Sequence, residues 1–230
     1  MSEAYVIAAR RTAVAPRKGA FRNVEVAELA APVVSAVLQD SGLRPDNVDD
    51  VILGNALYAG GNPARVVALA AGLPERAPAT TLDTQCCAGL DSILHAASRI
   101  RAGEAHAIIA GGAESFSRSP LRLRRPLSDG ETAEPYDRPP FSPWPARDPD
   151  LIESAAMLAT ARGITRGAQE RYAIDSHARA LACNHQDEIV PVAGLEHDAF
   201  SRRLAAPMCS RMPVIAGDAI HGLTAATIAV

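Results

Sequence analysis

Apolar positions along this chain alternate between two periods. From Val26 they fall at Val26, Leu29, Ala30, Val33, Val34, Val37 and Leu38, the spacing of a helix with one buried face, and Ser41-Gly42 supplies its stop. Short unbroken apolar runs flank it: Tyr5-Val-Ile-Ala-Ala9 and Asp50-Val-Ile-Leu-Gly54 both read as buried strands. Pro63 to Gly72 reads as a second helix, with Asn62 as its cap and proline at the first position, where a missing N–H costs nothing. Ala79 to Leu82 reads as a third strand, Cys86 to Ala102 as a helix, and Ala105 to Gly112 as a fourth strand. Such strict alternation predicts an α/β fold: a mostly parallel sheet with helices on both faces.

The pattern breaks at Ser117. Seven prolines and five arginines crowd the stretch from Arg118 to Pro145, too many for regular ladders, so an irregular surface excursion is expected. Helical segments follow at about Leu151 to Ala161 and Ala168 to Asn184. Ile189 to Val192 reads as an edge strand, because Pro191 would remove a donor from a central one. Val214-Ile-Ala-Gly217 and an apolar strand, Thr227-Ile-Ala-Val230, complete the reading.

Composition narrows the function classes. With 230 residues, 48% of them hydrophobic, the chain can bury a substantial core in one or two domains. A net charge of -3 gives no support for nucleic-acid binding, and no apolar run approaches the ~20 residues of a membrane span. Cys86, Cys87, Cys183 and Cys209 have no disulfide-framework spacing, so a reducing cytoplasm is the expected setting.

The chemistry concentrates at Asp83-Thr-Gln-Cys-Cys-Ala-Gly-Leu90, where a strand gives way to a helix. Unpaired N–H groups and the positive end of the helix dipole favour a thiolate there, the nucleophilic form of cysteine. The bland alternative is a buried, inert thiol, the commoner fate of cysteine. Adjacent cysteines on a helix diverge by ~100°, so the pair suits neither a metal nor an unstrained disulfide. A generic cysteine hydrolase has no support, since no Gly-x-Ser/Cys-x-Gly elbow occurs.

Together these segments resemble the thiolases, which make or cleave 3-oxoacyl-CoA thioesters. The resemblance is carried by Val6-Ile-Ala-Ala-Arg-Arg-Thr-Ala-Val14, Asn62-Pro-Ala-Arg65, Cys86-Cys-Ala-Gly-Leu90 and Ala110-Gly-Gly-Ala-Glu-Ser115. Asp187-Glu-Ile-Val-Pro-Val192 and Ala216-Gly-Asp-Ala219 extend it further along the chain. It implies a thiolase-like layered fold with one mostly parallel five-stranded sheet, formed by residues 1–117 and 214–230, and an inserted loop domain over 118–213. It also implies Cys86 as the catalytic nucleophile, and Ala216, Gly217 and Ala219 as residues that contact substrate or coenzyme A. An acyl-CoA thioester would be the substrate, with no bound cofactor and no metal.

Four features depart from the family pattern. The Gly-His-Pro histidine, the Asn-Glu-Ala-Phe-type asparagine and the second catalytic cysteine belong to a duplicated half that this sequence is expected to lack. Asp150 and Leu151 stand where the family has a His-Met pair, Ala113 replaces a methionine, and Ile220-His221 replaces a Ser-Gly. Local histidines offer no ready substitute base: His95 lies ~180° around the helix from Cys86, and only His221 would return near the pocket. Two functions follow from the resemblance. One is an acyl-CoA acyltransferase of fatty-acid metabolism, completed by a partner resembling the missing half. The other is a non-catalytic binding or assembly subunit. Either predicts an oligomer, because Leu90, Ile93, Leu94 and Ala97 would otherwise lie partly open.

Overall fold

A computed structural model describes residues 3–58, 61–136 and 138–228. The chain divides into two compact units, 1–120 with 185–199 and 121–184 with 200–230.

The first unit is built on a parallel sheet ordered β2-β1-β3, with β1 at Asp50–Gly54, β2 at Ala79–Leu82 and β3 at Ile108–Gly112. β1 is central and wholly buried, so its side chains alternate between two covered faces. Val51 and Leu53 join Ala30, Val34 and Leu38 of α1 (Val26–Ser41) and Ala64, Val67 and Ala68 of α2 (Pro63–Ala70) in one apolar cluster. Gly54 lies on the opposite face, against α3 (Ala88–Arg101). Full burial of Val51, Ile52 and Val67 stabilises the unit by about 1.5–3 kcal/mol each. Local signals agree with this packing: Glu25 and Glu28 form a reciprocal capping box on α1, and Gly42 closes it in the left-handed region.

α3 is unlike the other two. It buries only small residues, Ala88, Ser92 and Ala96, while Leu90, Ile93 and Leu94 are 62%, 43% and 55% exposed. Its far end is tied down by an ion pair from Arg99 to the buried Asp50, whose other oxygen accepts the Val51 N–H at 2.7 Å.

Several expected elements differ from this architecture. Among the described residues the parallel sheet holds three strands, not five. Tyr5 to Ala9 is not a strand, and Tyr5, Val6 and Ile7 are exposed. An apolar run needs an edge to pair with, and the chain meets one only at Arg11, which forms a lone parallel bridge with Ile189. Ile189 to Val192 accordingly makes isolated bridges and no continuous edge strand. Thr227 and Ile228 lie in a turn and a bend, while Ala229 and Val230 lie outside the described residues.

Arg11 also holds the 185–199 segment through its side chain. Its guanidinium donates to both Asp198 oxygens at 2.8 and 3.0 Å, and the Val14 N–H donates to the same carboxylate at 2.7 Å. The bond from Arg11 holds the Asp198 carboxyl below its ordinary range. Since the folded value lies under the unfolded one, this stabilisation is full above the unfolded pKa and lost as pH falls through the folded one. Asp198→Asn is therefore expected to cost about 1–3 kcal/mol at neutral pH and little at an acid pH below the folded pKa of Asp198. Urea midpoints at the two pH values would test this. An equal loss at both would contradict it.

The second unit contains the β4–β5 pair (Leu123–Arg124 with Glu134–Pro135), α4 (Leu151–Arg162), α5 (Arg166–Ala182) and the antiparallel β6–β7 pair (Val214–Ala216 with Leu223–Thr224). Arg166 knits it together. Its guanidinium bonds Glu170 at 2.7 Å and reaches the carbonyls of Cys209, Ser210 and Met212.

Candidate active site

The loop from Asp83 to Cys87 is shaped by its own side chains. Asp83 Oδ1 accepts the Gln85 N–H at 3.0 Å, an Asx-type turn, and Gln85 sits in the left-handed region at φ 60°. Thr84 donates its hydroxyl to Asp91 in the first turn of α3, which staples the loop to the helix. Gln85–Cys87 forms a 3-10 turn, and α3 starts at Ala88, two residues later than the apolar spacing predicts. Cys86 and Cys87 therefore precede the positive end of the helix dipole, and both are exposed free thiols.

The two cysteines are not equivalent. Cys86 lines a cleft of about 260 Å³ with Gly54, Asn55, Ala56, Gln85, Ala88, Gly89, Gly112, Ala113 and Glu114, and Cys87 is not among these residues. The cleft lies just past the carboxyl ends of β1 and β3, the edge of a parallel sheet where ligands ordinarily bind. α3 reaches that edge because three glycines meet there. A Cβ on Gly54 would lie 2.5 Å from the Ala88 carbonyl carbon, and one on Gly112 would lie 3.3 Å from Gly89 Cα.

Asn55 and Glu114 are functional candidates that the sequence reading missed. Asn55 is 7% exposed, donates from Nδ2 to the Ala113 carbonyl at 2.9 Å and to Glu114 Oε1 at 2.5 Å, and accepts the Tyr58 N–H at 3.1 Å. The second Glu114 oxygen accepts the Ala56 N–H at 3.0 Å. The sequence offers a cue for each: Asn55 directly follows the glycine that ends β1, and Glu114 lies two residues past the glycine that ends β3.

Among the described residues no histidine lines this cleft. His95 is exposed on α3, and His106 lies at the amino end of β3, where its N–H donates to Asp49 at 2.6 Å. His221 belongs to the second unit, with Nδ1 3.2 Å from Asp218 Oδ2.

Ala216, Gly217 and Ala219 also lie in the second unit, Ala216 at the end of β6 and the other two on the turn that leaves it. Gly217 has φ 86°, and a Cβ there would lie 3.0 Å from the Ala156 Cβ. Asp218 accepts the Ile220 and His221 N–H groups, both at 2.7 Å, and the His221 bond is the main cause of its lowered pKa. Asp150 caps α4, accepting from the Ile152 and Glu153 N–H groups at 2.8 and 3.2 Å. A helix cap thus accounts for the residue type at this position.

Comparison with known proteins places this geometry in context. The family model described as thiolase, N-terminal domain, matches residues 4–204. The provisionally named acetyl-CoA C-acetyltransferase VraB of Staphylococcus aureus strain COL is 38% identical over 198 residues, covering 84% of this chain and 52% of that protein. Its namesake in Staphylococcus haemolyticus strain JCSC1435 is 40% identical with the same coverage. A crystal structure of the Bacillus anthracis acetyl-CoA acetyltransferase superposes with a TM-score of 0.89 at 29% identity, over 98% of this chain and 62% of that one. The chain spans about half the length of the curated relatives it matches.

Proposed function

This chain belongs to the thiolase family, and on that premise we propose that it carries the nucleophile half of an acyl-CoA acyltransferase. The observation that carries the reading is the position of Cys86: an exposed thiol before a helix N-terminus, lining a cleft at the carboxyl edge of a parallel sheet. In the proposed step the Cys86 thiolate attacks the carbonyl carbon of an acyl-CoA. A carbon–sulfur bond forms to Cys86, the bond to the coenzyme sulfur breaks, and coenzyme A leaves as a thiolate that takes up the proton Cys86 released. Ala216, Gly217 and Ala219 contact the coenzyme in this reading.

Carbon–carbon bond formation, or its reversal in cleavage of a 3-oxoacyl-CoA, needs a base for the substrate α-carbon and donors for the thioester oxygen. The family places these groups in its second half, and the 230 residues contain no Gly-His-Pro or Asn-Glu-Ala-Phe-type segment. Whatever polypeptide supplies them, the Cys86 half alone acylates slowly and does not turn over. The reading places this chemistry in cytoplasmic fatty-acid metabolism. No helix among the described residues is long and apolar enough to cross a membrane.

A second reading, a non-catalytic binding or assembly subunit, is favoured by one observation. Asp150, Leu151, Ala113 and Ile220 stand where the resembling family has residues of its coenzyme A pocket. Incubation with acetyl-CoA followed by intact-mass spectrometry separates the two: an acetyl adduct supports the first, and its absence favours the second.

Both readings need a partner surface, and α3 offers one. Leu90, Ile93 and Leu94 form an exposed apolar stripe, which suits a second copy or a chain resembling the other thiolase half. Leu94→Asp is expected to shift sedimentation at low micromolar concentration from a dimer or larger species toward monomer. A folded monomer whose sedimentation is the same with and without the substitution would sink the partner-surface idea.

A further inference from the structure

We infer that Glu114 is a positioning residue for the Cys86 cleft, an inference that rests on reading Cys86 as the nucleophile. The cleft has two walls made of strand exits, Gly54-Asn55-Ala56 after β1 and Gly112-Ala113-Glu114 after β3, with the Gln85-Cys86 turn beside them. Four hydrogen bonds join the walls. The Ala113 N–H donates to the Gly54 carbonyl at 3.0 Å, and Asn55 Nδ2 donates to the Ala113 carbonyl at 2.9 Å. The other two end on Glu114, one oxygen taking Asn55 Nδ2 and the other the Ala56 N–H.

This arrangement does more than continue the sheet. The ladder between β1 and β3 ends at Gly54 and Gly112, so beyond it the walls are held mainly by side chains. Asn55 is buried and commits both ends of its amide, which fixes its orientation. A fixed Asn55 in turn fixes the Glu114 carboxylate from one side while Ala56 fixes it from the other. Removing the carboxylate frees Ala56 and one Asn55 N–H, and the wall that faces Cys86 loses its outer half. Glu114 acts through this wall, setting how large a group reaches Cys86.

A merely structural tie makes a different prediction. Loss of stability would raise the reactivity of exposed thiols alike, through opening of the fold. Cys87 adjoins Cys86 but does not line the cleft, so it serves as the internal control. The experiment alkylates the 230-residue chain with iodoacetamide and, separately, with a fluorescein-bearing maleimide, and reads each cysteine by peptide mass spectrometry. In Glu114→Ala the bulky-to-small rate ratio at Cys86 is expected to rise about fivefold, the equivalent of one lost hydrogen bond, while the ratio at Cys87 stays put. Glu114→Gln, whose amide oxygen still accepts from Ala56, should recover part of the difference.

An unchanged ratio at Cys86, or Cys86 and Cys87 moving together, would overturn the proposal. If circular dichroism shows that Glu114→Ala does not fold, the isosteric Glu114→Gln decides alone. A rise of about twofold or more confined to Cys86 then supports the role, and a smaller one overturns it. Alkylation needs neither coenzyme A nor turnover, so failure of acyl transfer and failure of this proposal are read separately.

Discussion

Cys86→Ser is expected to abolish the acetyl adduct formed from acetyl-CoA, lowering its rate by at least about a thousandfold. A serine hydroxyl stays protonated at neutral pH, and no histidine among the described residues lines the cleft to take its proton. Cys87→Ser should keep the adduct, since that thiol lies outside the cleft. The other two cysteines are weaker competitors for different reasons. Cys209 is buried, which pushes its thiol pKa up, and Cys183 follows the last turn of α5 and has no helix N-terminus beside it. Intact-mass spectrometry with peptide mapping reads the outcome directly. An adduct that persists in Cys86→Ser, or maps to Cys183 or Cys209, would remove Cys86 from the proposed role.

Gly54→Ala should produce the largest loss of stability of any methyl added to the first unit. The new Cβ would lie 2.5 Å from the Ala88 carbonyl carbon and 2.6 Å from the Gly89 nitrogen. Both are backbone atoms, so no rotamer change relieves the overlap, and α3 must shift as a body. Overpacking of this kind costs about 2–4 kcal/mol. The same shift would carry the Cys86 turn away from the strand exits, so adduct formation should fall along with stability. Gly112→Ala, with its closest atoms at 3.3 and 3.4 Å, should cost less, and Gly111→Ala meets nothing within 4 Å. A urea midpoint for Gly54→Ala no lower than that of Gly111→Ala would contradict the account.

Much of the first unit could be read from residue order alone, and the reason is local. α1 and α2 carry a complete set of nearby signals, namely apolar period, cap and stop, and β1 is an unbroken apolar run. Tyr5 to Ala9 carries the apolar period and nothing else, and a strand exists only where another strand accepts its bonds. The start of α3 was misplaced for a similar reason. Nothing about a glutamine announces φ 60°, and that one torsion turns Cys86 out of the α-helix and into a 3-10 turn. The candidate nucleophile was legible because a motif surrounds it. Asn55 and Glu114 were not, since they are far apart in sequence and meet only when two parallel strands end side by side.

The unlike placement of the two adjacent thiols gives the chain a built-in reporter. With Cys86 and the exposed Cys183 both changed to serine, a small environment-sensitive fluorophore could be attached at Cys87, one residue from the reactive position yet off the cleft lining. Cys87 also begins the stripe that Leu90 and Leu94 continue, at helical spacings of three and seven residues. One dye would then sense two events, a ligand entering the cleft and a partner covering α3. The emission change would tell them apart, because a partner dries the dye's surroundings and a small ligand in the cleft leaves it wet.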